Sequence, residues 1–485
     1  MTMEWGLMAF LVGVVGSFFI PYDGDPFYLY LVLLIVLCIC ICTWQKKSFR
    51  IPCIPLALCL VGVIRVVGGG ISSHDIHPFH TGKQIISGEV IRDPMIRSTQ
   101  QGLVVRTRGK VAGQETTLLA WTGLFPLHRQ WEQVTVSCTV LPMKESRHGS
   151  FDGVCKYASV TTTGVGGNSV VRFLSELKLW FSDVVEHTLP EPHSGLFGSL
   201  LFGARSTLSR HLTEAFNTTG LTHIVAVSGY NITLLISILS TVLLSLGAHR
   251  KKLPLILGVG ILFFTLFTGG SAATVRASIM GYLFVIAQWF GRRVKGFRLL
   301  LMSAAVMTAI QPDIVFDLGF QLSFLATLGL FVGASFFRTI RIPYMPLFIQ
   351  NIAFQTISAM VFTTPLIFLT FGTISLIALV ANILIVPVIP SIMIYGMTWM
   401  GIAIIGERAM MLGVAWVEPV SITLGWPLWL LLEYVIRCVE SLSRIPFASI
   451  SFQVTPLHWV VVMCIYVSMI PFFIFFQRKR RLYLK

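Results

Sequence analysis

From residue 221 onward the chain passes through one apolar stretch after another, over residues 221–246, 255–268, 272–290, 299–310, 318–337, 346–371, 374–394 and 398–405. A helix needs about 20 such residues to cross a bilayer, and several of these stretches approach or exceed that length. A composition of 55% hydrophobic and 12% charged residues, with a mean hydropathy of +0.79, is far from that of a soluble globule. The expected fold class is a polytopic α-helical membrane protein.

Polar islands interrupt this pattern. His223, Ser228 and Asn231 fall within 220–231, Arg276 follows Thr274 and Val275 inside 261–290, and Asp317, Gln321 and Ser323 stand at the head of the stretch from 318. Asn382 precedes Pro387, where a helix break is expected. Polar groups at bilayer depth are costly and usually face buried protein or a watery path. A membrane protein built around a hydrophilic route is the reading that follows.

Charge sets the expected topology. The 36 Lys and Arg residues exceed the 21 Asp and Glu residues, giving +15. In a membrane protein such an excess mostly reflects cytoplasmic loops, so it says little about an anionic substrate. Three further apolar runs, 6–20, 27–43 and 53–67, come first; Lys46, Lys47 and Arg50 place the loop between the second and third, and the N-terminus, in the cytoplasm. The first run lacks a basic flank and an A-x-A-like site, and is read as a helix rather than a signal peptide. Alternation through the later runs puts the basic clusters at 250–252, 292–295, 338–341 and 478–481 in the cytoplasm, with an interfacial helix on the outer face over 415–444 and a last span at 459–476. The chain is thus expected to be a multi-pass membrane protein with both termini cytoplasmic.

Between residues 71 and 165 the runs shorten and alternate. Strands are expected at 84–91, 103–108, 115–121, 133–141 and 157–163, with a turn at 109–113. About five short strands suit a small extracytoplasmic β-barrel of the OB type, and a small sandwich gives the same pattern. Residues 171–189 have helical period and two faces, and are read as a helix along the membrane surface. A short unit at 195–203 and a polar stretch at 204–217 follow. The expected organisation is N-terminal helices (1–70), β domain (71–165), amphipathic connecting helices (166–217), transmembrane channel domain (218–477) and basic tail (478–485).

Arg92, Arg97, Arg106, Arg108, Lys110 and Arg129 interleave with Trp121, Phe125 and Trp131 in the β domain. Cations for phosphates and flat rings for bases are what single strands require. Against this, seven acids accompany the ten bases of residues 71–165, and aromatics also fill barrel cores. Cys138 and Cys155 flank a polar region placed outside the cytoplasm, where a disulfide is open to them, though spacing alone does not establish it. There is no CxxC spacing and no GxxxxGK[ST] loop, so no metal, cofactor or nucleotide-driven step is expected.

The segments 220–229, 268–270 with 275–277, and 317–325, then Pro365 with Phe371-Gly372 and Ala381-Asn382, resemble in order and spacing the ComEC competence family of DNA-uptake channels. The likeness covers about 196–466, and the amino-terminal helices and β domain look like the OB-containing module of that family. The resemblance implies an inner-membrane protein that carries one DNA strand into the cytoplasm during natural transformation. It also implies partners: single-stranded DNA and membrane lipids, then a DNA receptor, a cytoplasmic helicase or translocase, and a separate nuclease. Two departures stand out. Asn231 replaces the family's common His, and the chain reaches Lys485 with no HxHxDH-type set of a metallo-β-lactamase-like domain, so neither nuclease activity nor zinc is expected of it.

Each island has two readings. On one continuous helix Ser228 and Asn231 share a face while His223 stands about 140° away. They either face a hydrated passage or hold helices together. Arg276 must find a carboxylate, carbonyls, water or phosphate; Asp317 is the favoured partner, ahead of direct phosphate contact. Gln321, Ser323 and Asn382 continue a polar lining or support helix breaks. A transporter of a smaller anionic solute is the alternative function. A hydrolase using Ser228 and His223 lacks a third orienting group.

Overall fold

The computed structural model describes residues 83–91, 95–97, 100–107, 117–123, 128, 132–142, 153–165, 169–203, 208–225, 229–249, 251–337, 340, 342–411, 417–452, 455, 458 and 462. The amino-terminal apolar runs, nearly all of the last expected span and the basic tail lie outside them.

Six strands come first: β1 (Lys83–Val90), β2 (Met95–Arg97), β3 (Gln100–Thr107), β4 (Thr117–Gly123), β5 (Glu132–Pro142) and β6 (Gly153–Val165). The order β1-β5-β6-β4-β3 closes because β1 also pairs with β3, in the register Gly88↔Thr107, Glu89↔Arg106 and Val90↔Val105. The result is a closed five-stranded barrel, with β2 a short addition on β3. Closure excludes the sandwich alternative. Only β4 and β6 run parallel. Period-two alternation sends Leu103, Val105, Leu118, Ala120, Val134 and Val136 into one buried core. Gly88 is needed at the seam, because a Cβ there would lie 2.5 Å from the Arg106 carbonyl oxygen and from Val105 Cγ1.

The rest is largely helical. In order come α1 (Ser169–Thr188), α2 (His193–Phe202), α3 (Arg210–Thr218), α4 (Thr222–Val225), α5 (Gly229–Ser245), α6 (Leu253–Phe267), α7 (Ala272–Trp289), α8 (Gly296–Ile310), α9 (Leu318–Phe336) and α10 (Leu347–Phe371). The strand β7 (Thr373–Ser375), α11 (Ala378–Ile385), α12 (Ile389–Met411), α13 (Val417–Ser443) and β8 (Ser449–Ser451), which pairs with β7, complete it.

Every residue of α2 is buried. It sits in the largest apolar cluster, where Phe197 meets Trp399 edge to face at 6.0 Å. Leu428, Leu432, Val435 and Val439 of α13 join the same cluster. The helix expected over 415–444 is present as α13, continuous over Val417–Ser443, with one face in the core. The break expected at Pro387 is present, since 374–394 divides into β7, α11 and the start of α12. Pro387 and Pro390 fall at that division, which suits residues that lack an N–H and clash with the preceding turn. Pro365 lies inside α10 without ending it.

The spacing Gly329-x-x-x-Gly333 on α9 faces Ser358 of α10, where added Cβ atoms would lie 2.3 Å from its carbonyl oxygen and closer still to its side chain. Small residues at four-residue spacing let backbones approach as they do in membrane bundles. α10 and residues 389–406 of α12 are long and apolar enough to cross a membrane. Leu255, Val259, Leu262, Ile405, Trp426 and Leu430 leave large apolar side chains on the surface.

Candidate functional site

Arg276 is the focus of the helical part. Ser271 caps α7 by accepting from Thr274 N, and the next turn carries the guanidinium inward, where it is 9% exposed. Nη1 donates to the Ser323 carbonyl oxygen at 2.5 Å and to Thr327 Oγ1, and Cζ lies 5.8 Å from the Phe324 ring centre. Thr327 in turn donates to the same Ser323 oxygen at 2.8 Å. Nε is buried with no hydrogen-bond partner. Among the described residues no carboxylate pairs with it. Nη2 lies 3.7 Å from where a Cβ on Gly229, the first residue of α5, would stand. The site is thus a buried cation at the meeting of α5, α7 and α9.

The expected Arg276–Asp317 pair is corrected. Asp317 is exposed and N-caps α9, its Oδ1 accepting from Phe320 N at 2.8 Å. A short acid one residue before a helix satisfies an orphan N–H there, a use that competes with pairing.

The other polar residues are placed separately. Asn231 is buried and its Nδ2 donates to the Leu200 carbonyl oxygen at 3.0 Å, tying α5 to α2. Gln321 Nε2 donates to the Val315 carbonyl oxygen at 2.8 Å. Asn382 is buried and bonds within its own helix, to the Ala378 carbonyl oxygen. His223 is exposed, with Nδ1 3.3 Å from the Gly220 carbonyl oxygen. Ser228 lies outside the described residues. α4 is described over Thr222–Val225 and α5 from Gly229, and residues 226–228 between them are outside the described set. Of the expected set only Arg276 and Ser323 are brought together, and Ser323 contributes its backbone.

Thr327 and Gly229 were not singled out by the sequence. Thr327 had a signal, the four-residue spacing from Ser323. A second unanticipated cluster joins α2 and α13: His193 Nε2 lies 2.9 Å from Glu433 Oε2, and Arg437 Nε donates to Glu433 Oε1 at 2.5 Å. The bond from Arg437 comes first in holding the Glu433 carboxyl below its ordinary value; partial burial opposes it and the His193 contact assists.

On the barrel, Gly102, Val104 and Arg106 of β3 alternate with the inward residues and share the outer face with Thr117, Leu119 and Trp121 of β4. Trp121 is half-buried over Gly102, whose added Cβ would lie 3.1 Å from the ring. It packs with Val104, Leu119 and Val154 in a small outer cluster, so it is not a barrel-core ring. Arg106 is exposed, about 13 Å along the strand from Gly102 at the usual rise. Glu89 stands opposite it in register. Arg97 is on β2; Arg92, Arg108, Lys110, Arg129 and Trp131 lie outside the described residues. Cys138 and Cys155, both buried on neighbouring strands, are joined by a disulfide with Cα atoms 5.7 Å apart. Among the described residues no group of three or more His, Cys, Asp or Glu is placed to hold a metal.

A barrel followed by an apolar helical bundle with a buried arginine defines the class of molecule, and comparison with known proteins gives the family. The family model described as "Competence protein" matches residues 200–479. ComE operon protein 3 of Bacillus subtilis (strain 168) is 26% identical over 199 residues, 41% of this chain and 25% of that protein. Competence protein ComA of Neisseria gonorrhoeae is 31% identical over 138 residues, 27% of this chain and 20% of that protein. The chain belongs to the ComEC competence family. It matches a quarter or less of the length of these curated relatives. No solved structure matches.

Proposed function

We propose that this chain is a multi-pass conduit in the cytoplasmic membrane that carries DNA, as a single strand, into the cell during natural transformation. The observation that carries the reading is the family match over 200–479, which spans the helical bundle and includes Arg276. Apolar helix surfaces and the close glycine contact of α9 with α10 support a lipid surrounding. The barrel is read as an OB-type module, with Trp121 and Arg106 on a face suited to stacking and phosphate contact. Its disulfide suits the oxidising side of the membrane. In this reading both termini are cytoplasmic, and the chain is a passage rather than a catalyst. A receptor, a helicase or translocase, and a nuclease are separate partners.

A second reading has a specific observation behind it. A buried cation with no carboxylate partner, at the meeting of α5, α7 and α9, would also suit a site for a small anion. Deleting the gene in a transformable host separates the two. The conduit reading expects transformation to be abolished; undiminished transformation overturns it.

A further inference from the structure

We propose that Arg276 is a fixed contact for a single phosphodiester of the passing strand, made on the edge of the guanidinium that carries the unpartnered Nε. This inference rests on the conduit reading and names the group within it that touches DNA.

Three observations converge on it. The guanidinium is nine-tenths buried, so its charge is exposed to a medium that solvates it poorly. Its two protein acceptors, the Ser323 carbonyl oxygen and Thr327 Oγ1, both lie on Nη1. The Nε hydrogen is orphaned, a costly condition for a buried donor. Protein groups therefore hold the Nη1 corner of a planar fork and leave Nε, on the opposite edge, without a partner. Nε and Nη2 together present two parallel N–H groups, the geometry that binds two oxygens of a phosphate. Beside that edge stands Gly229, where a Cβ would lie 3.7 Å from Nη2.

A purely structural arginine makes a different demand. It would gain from a carboxylate on its open edge, since an uncompensated buried charge is a liability for folding. A phosphate contact loses from the same change, because the edge would be occupied. Gly229 permits the test, as a Cβ there meets Ala277 Cβ at 3.4 Å and Arg276 Nη2 at 3.7 Å, ordinary contacts.

The experiment compares wild type, Gly229→Ala and Gly229→Asp in a host deleted for the gene, with membrane abundance of each protein measured alongside. At equal abundance Gly229→Asp should transform roughly 10- to 100-fold less than Gly229→Ala, the scale of one charge-assisted hydrogen bond. Equal transformation by Gly229→Asp and Gly229→Ala overturns the proposal. Binding to the purified full chain adds a second readout. An oligothymidylate with phosphodiester linkages should bind wild type more tightly than its methylphosphonate counterpart, and Gly229→Asp should erase that preference. Equal binding of the two, with displacement of both by inorganic phosphate, would instead mark a small-anion site. Unaltered transformation in the deletion host itself would remove the conduit reading, an outcome distinct from failure of the Arg276 contact alone.

Discussion

The barrel and the helical bundle handle charge in opposite ways. In residues 83–165 apolar side chains point inward and Arg106 stays outside, opposite Glu89 in register. In the bundle the surface is apolar and one cation, Arg276, is inside without a carboxylate. The barrel follows the rule for a domain in water, with Arg106 on its outer face. The bundle inverts that rule at one point. Where a protein tolerates such an inversion, the cost is more readily understood as serving a ligand than as serving the fold.

Paired substitutions break or sharpen this contrast. Leu103→Ala, inside the barrel, should destabilise that domain by about 2 to 5 kcal/mol, seen as a lower unfolding midpoint or faster proteolysis between residues 83 and 165. Arg276→Leu should leave the unfolding midpoint unchanged or higher, because replacing an uncompensated buried charge by an apolar side chain relieves the fold. Its transformation should nevertheless be lost. Were Arg276→Leu to unfold the bundle as Leu103→Ala unfolds the barrel, the two regions would obey one rule after all.

Smaller effects probe the faces. Trp121→Ala should weaken binding of a single-stranded oligonucleotide by about 1 to 3 kcal/mol, the usual worth of one stacked base. No change in that affinity would reduce Trp121 to packing against Val104 and Leu119. Asp317→Ala removes a cap and should cost about 0.5 to 2 kcal/mol of stability with transformation retained. A loss as deep as that of Arg276→Leu would restore the Arg276–Asp317 pair that the geometry contradicts. The smallest effect is one of pH. Arg437 holds the Glu433 carboxyl below its ordinary value of 4.5, so the pair's contribution is present above that value and fades as pH falls through the depressed one. Glu433→Gln should flatten the pH dependence of stability below about pH 4.5 relative to wild type; an unchanged profile would remove the ion pair between α13 and its own next turn as a source of it.

Much of the fold was legible because its signals are periodic. Alternation marked five strands to within a few residues, and the apolar run 272–290 became α7 over Ala272–Trp289. The three residues of β2 gave too short a pattern and follow Pro94, which argues against a strand. Failures fell where local chemistry is ambiguous. An Asp before an apolar run is at once a candidate ion partner and a candidate cap, and Asp317 proved the second. Asn231, read as passage or glue, reaches Leu200, 31 residues away, and no local pattern points to that contact. The importance of Arg276 was visible from its type and depth. Its acceptors were not, because they depend on how α7 meets α9.

The most direct measurement follows labelled donor DNA into the cytoplasm. Cells deleted for the gene and supplied with either the wild-type chain or Arg276→Leu, at matched membrane abundance, are exposed to end-labelled duplex DNA, and nuclease-protected single strand is recovered from the cytosol. The conduit account expects protected strand with wild type, and about background with Arg276→Leu and with no copy at all. Protected strand in the deleted cells equal to that with the wild-type chain would contradict it.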